Sequence, residues 1–376
     1  MEECVDMLVC RQVGAPYEIR SVILGDLYDD EILVRIRATG LCHTDFACCN
    51  VYHPFLSPET GNGTDNGEQQ GTTPVPLPLV GGHEGAGVVE KTGSQVTHVS
   101  VGDHVLLTFS ACGRCVPCEK DLSAYCSNIW DMNFRGARAD GTKAYTDALD
   151  GTAISSHFFG QSSFGKKAIV RASSAIPIAQ DLPLQTLCVL GCTLQTGAGT
   201  VLNQLQPPEG SSLAVFGAGA VGMAAILAGR LTPNVKIIAV DVLDSKLKIA
   251  KGLGATHTIN STGKNIVEEL LVLTRNFGVE RALDTTGRPD VIQAMLQATA
   301  PGGMAASVGA PKMGTKIEIE PSTWIMRGFL PCLIELWKEG KLPVEEIITQ
   351  YPYSDIERAK SDLQGGSCVK AVLLWD

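Results

Sequence analysis

Short stretches of alternating hydrophobic and polar residues fill the first half of the chain and predict β-strands. Clear examples are EILVRIRATG at 31–40, GAGVVEKTG at 85–93 and VGDHVLLTF at 101–109. Such alternation places every second side chain on the buried face of a sheet. Because glycine and proline separate the stretches, we predict an antiparallel, barrel-like β domain.

From about residue 190 the pattern changes to buried strands that alternate with helices. The predicted strands are LAVF at 213–216, KIIAVD at 236–241, HTIN at 257–260 and ALDTT at 282–286. The predicted helices are AAILAGRL at 224–231, LDSKLKIAKGLGA at 243–255 and VIQAMLQATA at 291–300. This alternation predicts a parallel, doubly wound sheet, and a chain of 376 residues is long enough for two domains.

Two segments interrupt these patterns. The uncharged run from Gly210 to Gly229 is long enough to cross a bilayer, but its glycines at 217, 219 and 222 favour a buried strand, turn and helix. The stretch from Ser57 to Pro78 is rich in Gly, Thr, Asn and Pro and predicts a long exposed loop. A tolerated surface insertion would explain this loop without any function, since lengthening a loop costs little.

Charge and cysteine content narrow the class of partner. The net charge is −10 and Lys and Arg never cluster beyond a pair, which argues against nucleic acid or an anionic membrane and favours a small molecule. The 13 cysteines are odd in number, and the chain begins with the acidic sequence MEECVDMLVC rather than with a basic signal peptide. We therefore expect reduced thiols and a cytoplasmic location.

Closely spaced cysteines form the pattern CxxCxxCx7C. They are Cys112, Cys115, Cys118 and Cys126. Four thiolates at this spacing can enclose one tetrahedral zinc ion with no position open for a substrate, which predicts a structural site. A catalytic metal needs other ligands, for which Cys42, His83 and Cys192 are candidates; an ordinary buried side chain is the alternative for each cysteine.

A GxGxxG motif follows the predicted strand at 213–216 and begins the next helix, with Gly217, Gly219 and Gly222. The first glycine permits a tight turn, the second lets backbone approach a pyrophosphate, and the third lets helix and strand pack closely. Glycine-rich turns also serve packing alone. Asp241, which ends the next strand 19 residues after Gly222, favours a bound dinucleotide, and its carboxylate favours NAD over NADP.

Several motifs occur together and in a characteristic order. They are GHEGAGVVE at 82–90, the four-cysteine cluster, FFGQSSF at 158–164, LGCTLQTGAG at 190–199 and VFGAGAVG at 215–222. With them the chain resembles the zinc-dependent medium-chain alcohol dehydrogenases, most closely the aryl- or benzyl-alcohol type, over nearly its whole length. The resemblance implies an α/β plus β architecture: a GroES-like zinc-binding catalytic β-barrel domain at 1–185, a Rossmann NAD-binding domain at 186–325, and a C-terminal segment at 326–376 that returns to the catalytic domain.

The resemblance also implies two zinc ions per chain, one catalytic and one structural. The family's catalytic zinc ligands match Cys42, His83 and Cys192. Glu84 matches the acidic residue beside the metal, Thr44 the hydroxyl that accepts the alcohol proton, and Asp45 the carboxylate that orients the zinc-bound histidine. Two thiolates and one imidazole would leave a zinc position open for an alcohol and lower the pKa of that alcohol.

The family's cofactor is NAD, and further residues match positions that contact it. Basic residues at the pyrophosphate match His43 and Lys370, and Lys246 matches a lysine near the adenosine ribose. A solvated surface charge is the alternative for both lysines. The stretches that line the nicotinamide side contain Thr285, Arg288 and Gly309.

The chain departs from the family in three places. Ala47 stands where many relatives have a histidine that completes a proton relay, so we expect proton release through Thr44, the ribose hydroxyl and water. The 57–78 insertion is a candidate lid near the substrate cleft. About 15 to 20 residues, enough for a strand and its connections, are missing after residue 328. They normally complete the edge of the Rossmann sheet and pair with a second subunit; natural variation and a mis-spliced gene model both explain their absence.

We expect hydride transfer between a primary aromatic or allylic alcohol and NAD, or reduction of the corresponding aldehyde. Two alternatives stay open: a dedicated reductase or dehydrogenase of a specialised metabolite pathway, and a catalytically impaired NAD-binding scaffold. Phe46, Trp130 and Phe134 are candidates for lining the substrate pocket, with core packing as their alternative. The family suggests a homodimer or homotetramer, an expectation that the shortened region near 328 calls into question.

Overall fold

The computed structural model describes residues 4–49, 75–311, 315–319 and 344–375. The chain divides into two compact units, residues 1–319 and residues 320–376. In the first unit, the described strands up to residue 178 pair antiparallel, and those from 212 to 307 pair parallel. The further division into a catalytic domain at 1–185 and a coenzyme domain at 186–325 stays a prediction.

Antiparallel strands form two sheets. They are β1 (Cys4–Cys10), β2 (Glu18–Leu24), β3 (Glu31–Thr39), β4 (Leu79–Val80), β5 (Gly85–Thr92), β6 (His104–Leu107), β7 (Tyr145–Asp147), β8 (Ala153–Ile154), β9 (Lys167–Arg171) and β10 (Ala175–Ile178). The first sheet has the order β4-β1-β2-β7-β8 and the second β10-β6-β5-β3-β9. A bridge between Leu79 and Ser155 brings β4 beside the end of β8, so the first sheet nearly closes on itself.

Strand β1 shows how the alternating pattern builds this domain. Val5, Met7 and Val9 are buried, whereas the residues between them are exposed. Their side chains share one apolar core with Leu33 of β3 and Ile169 of β9, so this core joins the two sheets. Each buried side chain of this size contributes about 1.5–3 kcal/mol. The predicted barrel-like β domain is confirmed.

Short helices connect these strands and lead into the second half. They are α1 (His43–Ala47), α2 (Val116–Glu119), α3 (Ile129–Phe134), α4 (Leu184–Leu187) and α5 (Thr193–Gly199). Single 3₁₀ turns occur at Ser123–Tyr125, Phe158–Gly160, Ala172–Ser174 and Cys188–Gly191, and α5 continues as a π-helical turn at Thr200–Leu205.

Strands and helices then alternate through a parallel sheet. They are β11 (Ser212–Phe216), α6 (Ala220–Gly229), β12 (Lys236–Asp241), α7 (Asp244–Leu253), β13 (His257–Asn260), α8 (Ile266–Leu273), β14 (Val279–Asp284), α9 (Pro289–Ala298) and β15 (Thr299–Ser307). The strand order is β13-β12-β11-β14-β15. All five residues of β11 are buried, as expected for a central strand that is covered on both faces.

The helices cover both faces of this sheet. Leu213 and Val215 of β11 pack in one core with residues of α6 and α7. Ala214 and Phe216, which point to the opposite face, pack with residues of α8 and α9. The predicted doubly wound Rossmann architecture is therefore confirmed. The run from Gly210 to Gly229 forms β11, a turn and α6, and no helix among the described residues is long and apolar enough to cross a membrane.

The second unit contains one strand–helix–strand element in its described part. It consists of β16 (Ile348–Pro352), α10 (Ile356–Gly365) and β17 (Lys370–Leu374), with 3₁₀ turns at Val344–Ile347 and Tyr353–Asp355. The two strands pair parallel, and Tyr351 donates a hydrogen bond to Asp362 at 3.0 Å. Residues 57–74 of the insertion and the shortened region near 328 lie outside the described residues.

Candidate active site

A single buried carboxylate links the segments that carry Cys42 and His83. Cys42 directly precedes α1, and Asp45 lies in the first turn of that helix. The Oδ2 atom of Asp45 accepts a hydrogen bond from the backbone N–H of Cys42 at 2.9 Å. Its Oδ1 atom accepts one from the backbone N–H of Gly82 at 3.0 Å and lies 2.9 Å from Nδ1 of His83. Asp45 thus fixes the segment that carries Cys42, the segment that carries His83, and one nitrogen of the imidazole.

A second buried carboxylate links His83 to the segment of Cys192. Glu84 follows His83 and is 1% exposed; its Oε1 atom accepts hydrogen bonds from the backbone N–H of Thr193 at 2.8 Å and from its hydroxyl at 2.5 Å. Burial raises the pKa of Glu84 despite these donors. Gly40 faces the Glu84 carboxylate, and a larger residue would not fit there, because its Cβ atom would lie 1.9 Å from Oε2 of Glu84.

These links bring together Cys42, His83, Glu84 and Cys192. One possible ligand atom from each lies within 4.8 Å of the others. The Nε2 atom of His83 is buried and has no hydrogen-bond partner among the described residues, which is costly unless a metal ion takes that place. Two sulfurs, an imidazole nitrogen and a nearby carboxylate are the donor set that zinc prefers, so the residues fit a zinc ion.

The local electrostatics also suit a cation. Burial alone would lower the pKa of His83, but the Asp45 carboxylate and, after it, Cys42 outweigh burial and raise that pKa to about 10. A hydrogen bond from the thiol of Cys192 lowers the pKa of Cys42, and the same contact raises the pKa of Cys192. The thiolate of Cys42 therefore forms readily, whereas Cys42 and Cys192 would both be thiolates only with a metal ion bound.

The FFGQSSF segment packs against the turn between β4 and β5 that carries His83. Phe159 stacks on the imidazole with 4.5 Å between ring centroids and 23° between ring planes. Gln161, which is fully buried, donates from Nε2 to the carbonyl of His83 at 2.8 Å and accepts at Oε1 from the N–H of Gly85 at 2.9 Å. The backbone of Phe159 is left-handed, with φ of 51°, a conformation that costs a non-glycine residue about 1–3 kcal/mol.

A row of aromatic rings leads from this imidazole to the surface. Phe134 of α3 meets Phe159 at 5.0 Å between centroids, and Trp130 meets Phe134 at 4.8 Å. Trp130 is 48% exposed. Of the three aromatic residues singled out in the sequence, Trp130 and Phe134 belong to this row, and Phe46 lies on α1 with 45% exposure.

A second metal-ligand cluster lies in the lobe at residues 111–126. Its sulfur ligand atoms, all within 4.8 Å of one another, belong to Cys112, Cys115, Cys118 and Cys126. The backbone N–H of Ser127 and the side-chain amide of Asn128 donate to these sulfurs at 3.4 and 3.3 Å. Backbone donation at Arg114 and the Asn128 amide lower the pKa of Cys112 to about 6. The four sulfurs fit a closed zinc site.

Helix α5 connects Cys192 to the parallel sheet. Cys192 immediately precedes this helix, and α5 packs tightly on α6. Gly197 is needed at the crossing, because a Cβ atom there would lie 2.0 Å from the carbonyl oxygen of Val221. The close approach sets the position of Cys192 relative to the helix that follows the GxGxxG turn.

The glycine motif forms an open turn at the carboxyl end of β11. Gly217 has φ of 94°, and a Cβ atom at Gly222 would lie 1.9 Å from the carbonyl oxygen of Gly217. A Cβ atom at Gly219 would meet nothing within 4 Å, so this position is open to a ligand. Helix α6 begins at the next residue, and its free backbone N–H groups suit a phosphate.

Asp241 closes this turn from the neighbouring strand. Its Oδ2 atom accepts from the N–H of Ala218 at 2.8 Å, and its Oδ1 atom accepts from the N–H of Leu243 at 2.9 Å. The carboxylate is therefore fixed beside the glycine turn, where it can accept from ribose hydroxyls. The glycine turn and this carboxylate fit a dinucleotide.

Loops after β14 and β15 adjoin the same edge. The Thr285 hydroxyl donates to the carbonyl oxygens of Phe216 and Gly217 at 3.0 and 3.1 Å. Gly309 lies so close to this loop that a Cβ atom would be 2.0 Å from the nitrogen of Gly287. The strand order places the carboxyl end of β11 between β12 and β14, where doubly wound sheets bind nucleotides.

Four basic residues predicted to contact the cofactor occupy different settings. Arg288 forms an exposed ion pair with Asp290 at 2.8 Å. His43 is exposed at the start of α1, and Lys246 is half-buried on α7. Lys370 is exposed at the start of β17 in the second unit.

Sequence reasoning left out residues that surround the metal ligands. Phe159, Gln161 and Thr193 touch His83 or Glu84, yet none was assigned a role. The FFGQSSF motif and the residue next to Cys192 were the available signals. Neither signal reveals which side chain faces the metal ligands, because these contacts join residues more than 75 positions apart.

Known proteins resemble this chain over nearly its whole length. The family description "Alcohol dehydrogenase GroES-like domain" matches residues 28–179, and "Zinc-binding dehydrogenase" matches residues 220–329. The geraniol dehydrogenase of Castellaniella defragrans is 34% identical, with 98% of this chain and 96% of the relative covered.

Two solved structures also superpose closely. An alcohol dehydrogenase zinc-binding domain protein from Burkholderia ambifaria has a TM-score of 0.78 at 39% identity, with 100% of both chains covered. Benzyl alcohol dehydrogenase from Acinetobacter calcoaceticus has a TM-score of 0.77 at 34% identity, with 99% of both chains covered.

Proposed function

This chain belongs to the zinc-dependent medium-chain alcohol dehydrogenases, and from that premise we propose that it transfers hydride between a primary aromatic or allylic alcohol and NAD. The reverse reaction reduces the corresponding aldehyde. The observation that carries the proposal is the buried, unpartnered Nε2 atom of His83, which lies among the sulfurs of Cys42 and Cys192. A scaffold that only binds NAD has no need for this costly arrangement.

We assign the catalytic metal to Cys42, His83 and Cys192. A zinc ion bound there would act as a Lewis acid that polarises the alcohol oxygen and lowers the pKa of the alcohol. Asp45 holds the imidazole through Nδ1, which directs Nε2 to the metal and raises the basicity of the ligand. Glu84 stays beside the metal through its bonds to Thr193.

Thr44 is the proposed first acceptor of the alcohol proton. Its Oγ1 atom lies 3.8 Å from the sulfur of Cys42, so the hydroxyl is next to one metal ligand. The hydroxyl would accept the alcohol proton as it gives up its own, and a bound NAD would supply a ribose hydroxyl as the acceptor on the way to water. Ala47, at the end of α1, has no side chain that could continue the relay.

The cofactor is proposed to lie along the carboxyl edge of the parallel sheet. Its pyrophosphate would sit on the N–H groups at Gly219 and the start of α6, with the exposed imidazole of His43 as a further contact. Thr285 and Gly309 belong to the nicotinamide side, while Lys246 is proposed at the adenosine ribose. Arg288 is proposed on the nicotinamide side and Lys370 at the pyrophosphate; Arg288 also pairs with Asp290.

Asp241 should set the preference for NAD over NADP. Its carboxylate can accept from the ribose hydroxyls, whereas it repels a 2′-phosphate. Replacing Asp241 by serine should lower the ratio of kcat/KM for NAD to that for NADP by roughly 100-fold, about 2.7 kcal/mol for one lost ion repulsion and one lost hydrogen bond. Steady-state rates with both cofactors measure the ratio, and Asp244→Ser in the next turn is the control. An unchanged ratio would show that another residue discriminates.

The substrate class rests on the relatives. Geraniol is a primary allylic alcohol and benzyl alcohol a primary aromatic one, and the proteins named for them are both 34% identical to this chain. The row of rings that runs from the imidazole of His83 through Phe159 and Phe134 to the half-exposed Trp130 is proposed as an apolar wall for the substrate. Such a wall suits a flat, conjugated substrate better than a short alkyl alcohol.

A panel of alcohols tests the proposed function. With NAD and zinc-loaded protein, kcat/KM for benzyl, cinnamyl and allylic terpene alcohols should exceed that for ethanol by at least about tenfold, as expected for one extra ring contact of about 1.4 kcal/mol. Activity confined to a single pathway intermediate would favour the dedicated metabolic reductase instead. Tight NADH binding without turnover of any alcohol or aldehyde would favour the scaffold.

The remaining assignments concern the lobe, the assembly and the location. We propose that the four cysteines of the lobe hold the structural zinc, which makes two zinc ions per chain. A homodimer or homotetramer and a cytoplasmic location are the corresponding proposals for assembly and compartment. Metal analysis and light scattering test the first two.

A further inference from the structure

The imidazole of His83 is held at one atom by hydrogen bonding. The bond between Nδ1 and Asp45 fixes that nitrogen and the covalent bond to Cβ fixes Cγ, so the freedom that remains is a swing of the ring about the line from Cβ to Nδ1. Any such swing would move Nε2 away from the two sulfurs. Something must therefore hold the plane of the ring as well as one of its corners.

Phe159 occupies the position that restrains this plane. Its ring stacks on the imidazole at 4.5 Å and 23°, while Phe158 meets the imidazole at 5.5 Å and 85°. A parallel neighbour on one face and a perpendicular neighbour beside it leave the imidazole little freedom to turn. The polar neighbours of the imidazole, Asp45 and Cys42, act at its nitrogen atoms and not on the face of the ring.

The ring of Phe159 is itself held by its backbone and by a neighbouring ring. Its φ is 51°, and three nearby residues are left-handed as well: His157 with φ of 59°, Gly160 with 71° and Ser162 with 51°. Phe134 packs against the same ring at 5.0 Å and 66°. Gln161, two residues on, ties the turn to the carbonyl oxygen of His83 at 2.8 Å. Backbone conformations that are unfavourable for ordinary residues persist where the surrounding structure enforces them, and they cluster at functional sites.

The stack should strengthen when a cation binds. An imidazole that donates its Nε2 lone pair to a divalent metal becomes electron-poor, and the electron-rich face of a phenyl ring attracts such a group. We propose that Phe159 is a positioning residue for the metal centre: its ring holds the plane of His83 so that Nε2 points at the ion. This inference rests on the proposed function for the identity of the metal site, although it concerns metal binding and not turnover.

Cobalt binding tests the proposal without substrate or cofactor. Zinc is kept in the four-cysteine lobe, and the site at Cys42, His83 and Cys192 is emptied with a chelator. Co²⁺ is then titrated in while its visible absorption bands are recorded. In Phe159→Leu we expect roughly three- to tenfold weaker Co²⁺ binding and a shift of the bands, since the ligand geometry loosens. Phe159→Tyr retains the ring and should restore both. Phe159→Met takes the place of the leucine variant if that variant does not fold.

Ile169→Ala provides the matched control. Ile169 is buried in the core of the β domain and is not part of the aromatic row, so its truncation lowers stability without removing the stack. Unchanged Co²⁺ affinity and bands in Phe159→Leu would overturn the proposal, as would equal losses in Phe159→Tyr or Ile169→Ala. Failure of the wild-type protein to bind Co²⁺ at Cys42, His83 and Cys192 would instead contradict the proposed function.

Discussion

Replacing Cys42 by alanine should abolish alcohol-dependent formation of NADH, with kcat/KM reduced at least about a thousandfold. A Lewis-acid metal contributes several kcal/mol to the reaction, and each 1.4 kcal/mol is a factor of ten in rate. Cys42 supplies one of the two sulfurs beside Nε2 of His83, and His83 cannot replace a missing thiolate. The zinc content should fall from two ions to one per chain, while the affinity for NADH should change little.

Cys188→Ala is the control for this experiment. Cys188 lies four residues before Cys192 but is buried, and it packs in an apolar cluster with Ala86 and Leu184. Its removal should leave both zinc ions and most of the activity in place. Steady-state rates, metal analysis and calorimetry with NADH make the comparison. Retention of activity in the Cys42 variant would exclude the proposed metal ligands.

Replacing Cys115 by serine should have the largest effect on stability. In the lobe at 111–126 the only buried residue is Cys126, and Val116, Leu122 and Tyr125 are exposed. A segment without an apolar core depends on its metal, because the free energy of binding zinc is then the free energy of folding, roughly 10–16 kcal/mol for small structural sites. We expect the variant to lose the lobe zinc and the lobe to open at temperatures that leave the wild type intact.

Protease cleavage within 112–126 and thermal unfolding measure this effect. Cys4→Ser, which changes an exposed cysteine of β1, serves as the control. Activity per folded molecule should fall less than the unfolding temperature does, because no lobe cysteine belongs to the cluster of Cys42, His83 and Cys192. A variant that keeps two zinc ions and its unfolding temperature would show that the lobe folds by other means.

Local sequence patterns predicted most of the fold. The predicted strand EILVRIRATG became β3, whose first four residues are all buried where the pattern predicted alternation, and the continuous apolar run LAVF became the buried strand β11. Both patterns arise from the burial of one or two faces of a strand, which nearby residues determine. The four cysteines of the lobe lie together as their spacing within 15 consecutive residues predicts, while the zinc ion that they would hold stays a prediction.

The open metal site could not be located from residue spacing alone. Cys42, His83 and Cys192 are spread over 151 residues, so residue type made them candidates and resemblance to a family then assigned them a shared metal. The structure adds contacts that the pattern does not encode. Left-handed φ at a phenylalanine has no signature in sequence, and the stack of Phe159 on His83 joins residues 76 positions apart. Long-range packing of this kind follows from the whole fold and not from local preference.

The proposed catalytic metal site at Cys42, His83 and Cys192 is tested most directly by anomalous diffraction at the zinc absorption edge from crystals of the unmodified protein. We predict two anomalous peaks per chain, one among the four cysteines of the lobe and one about 2.0–2.3 Å from the sulfurs of Cys42 and Cys192 and from Nε2 of His83. A single peak in the lobe, with ordered and metal-free side chains at Cys42, His83 and Cys192, would contradict the proposal that this chain oxidises alcohols at a zinc ion.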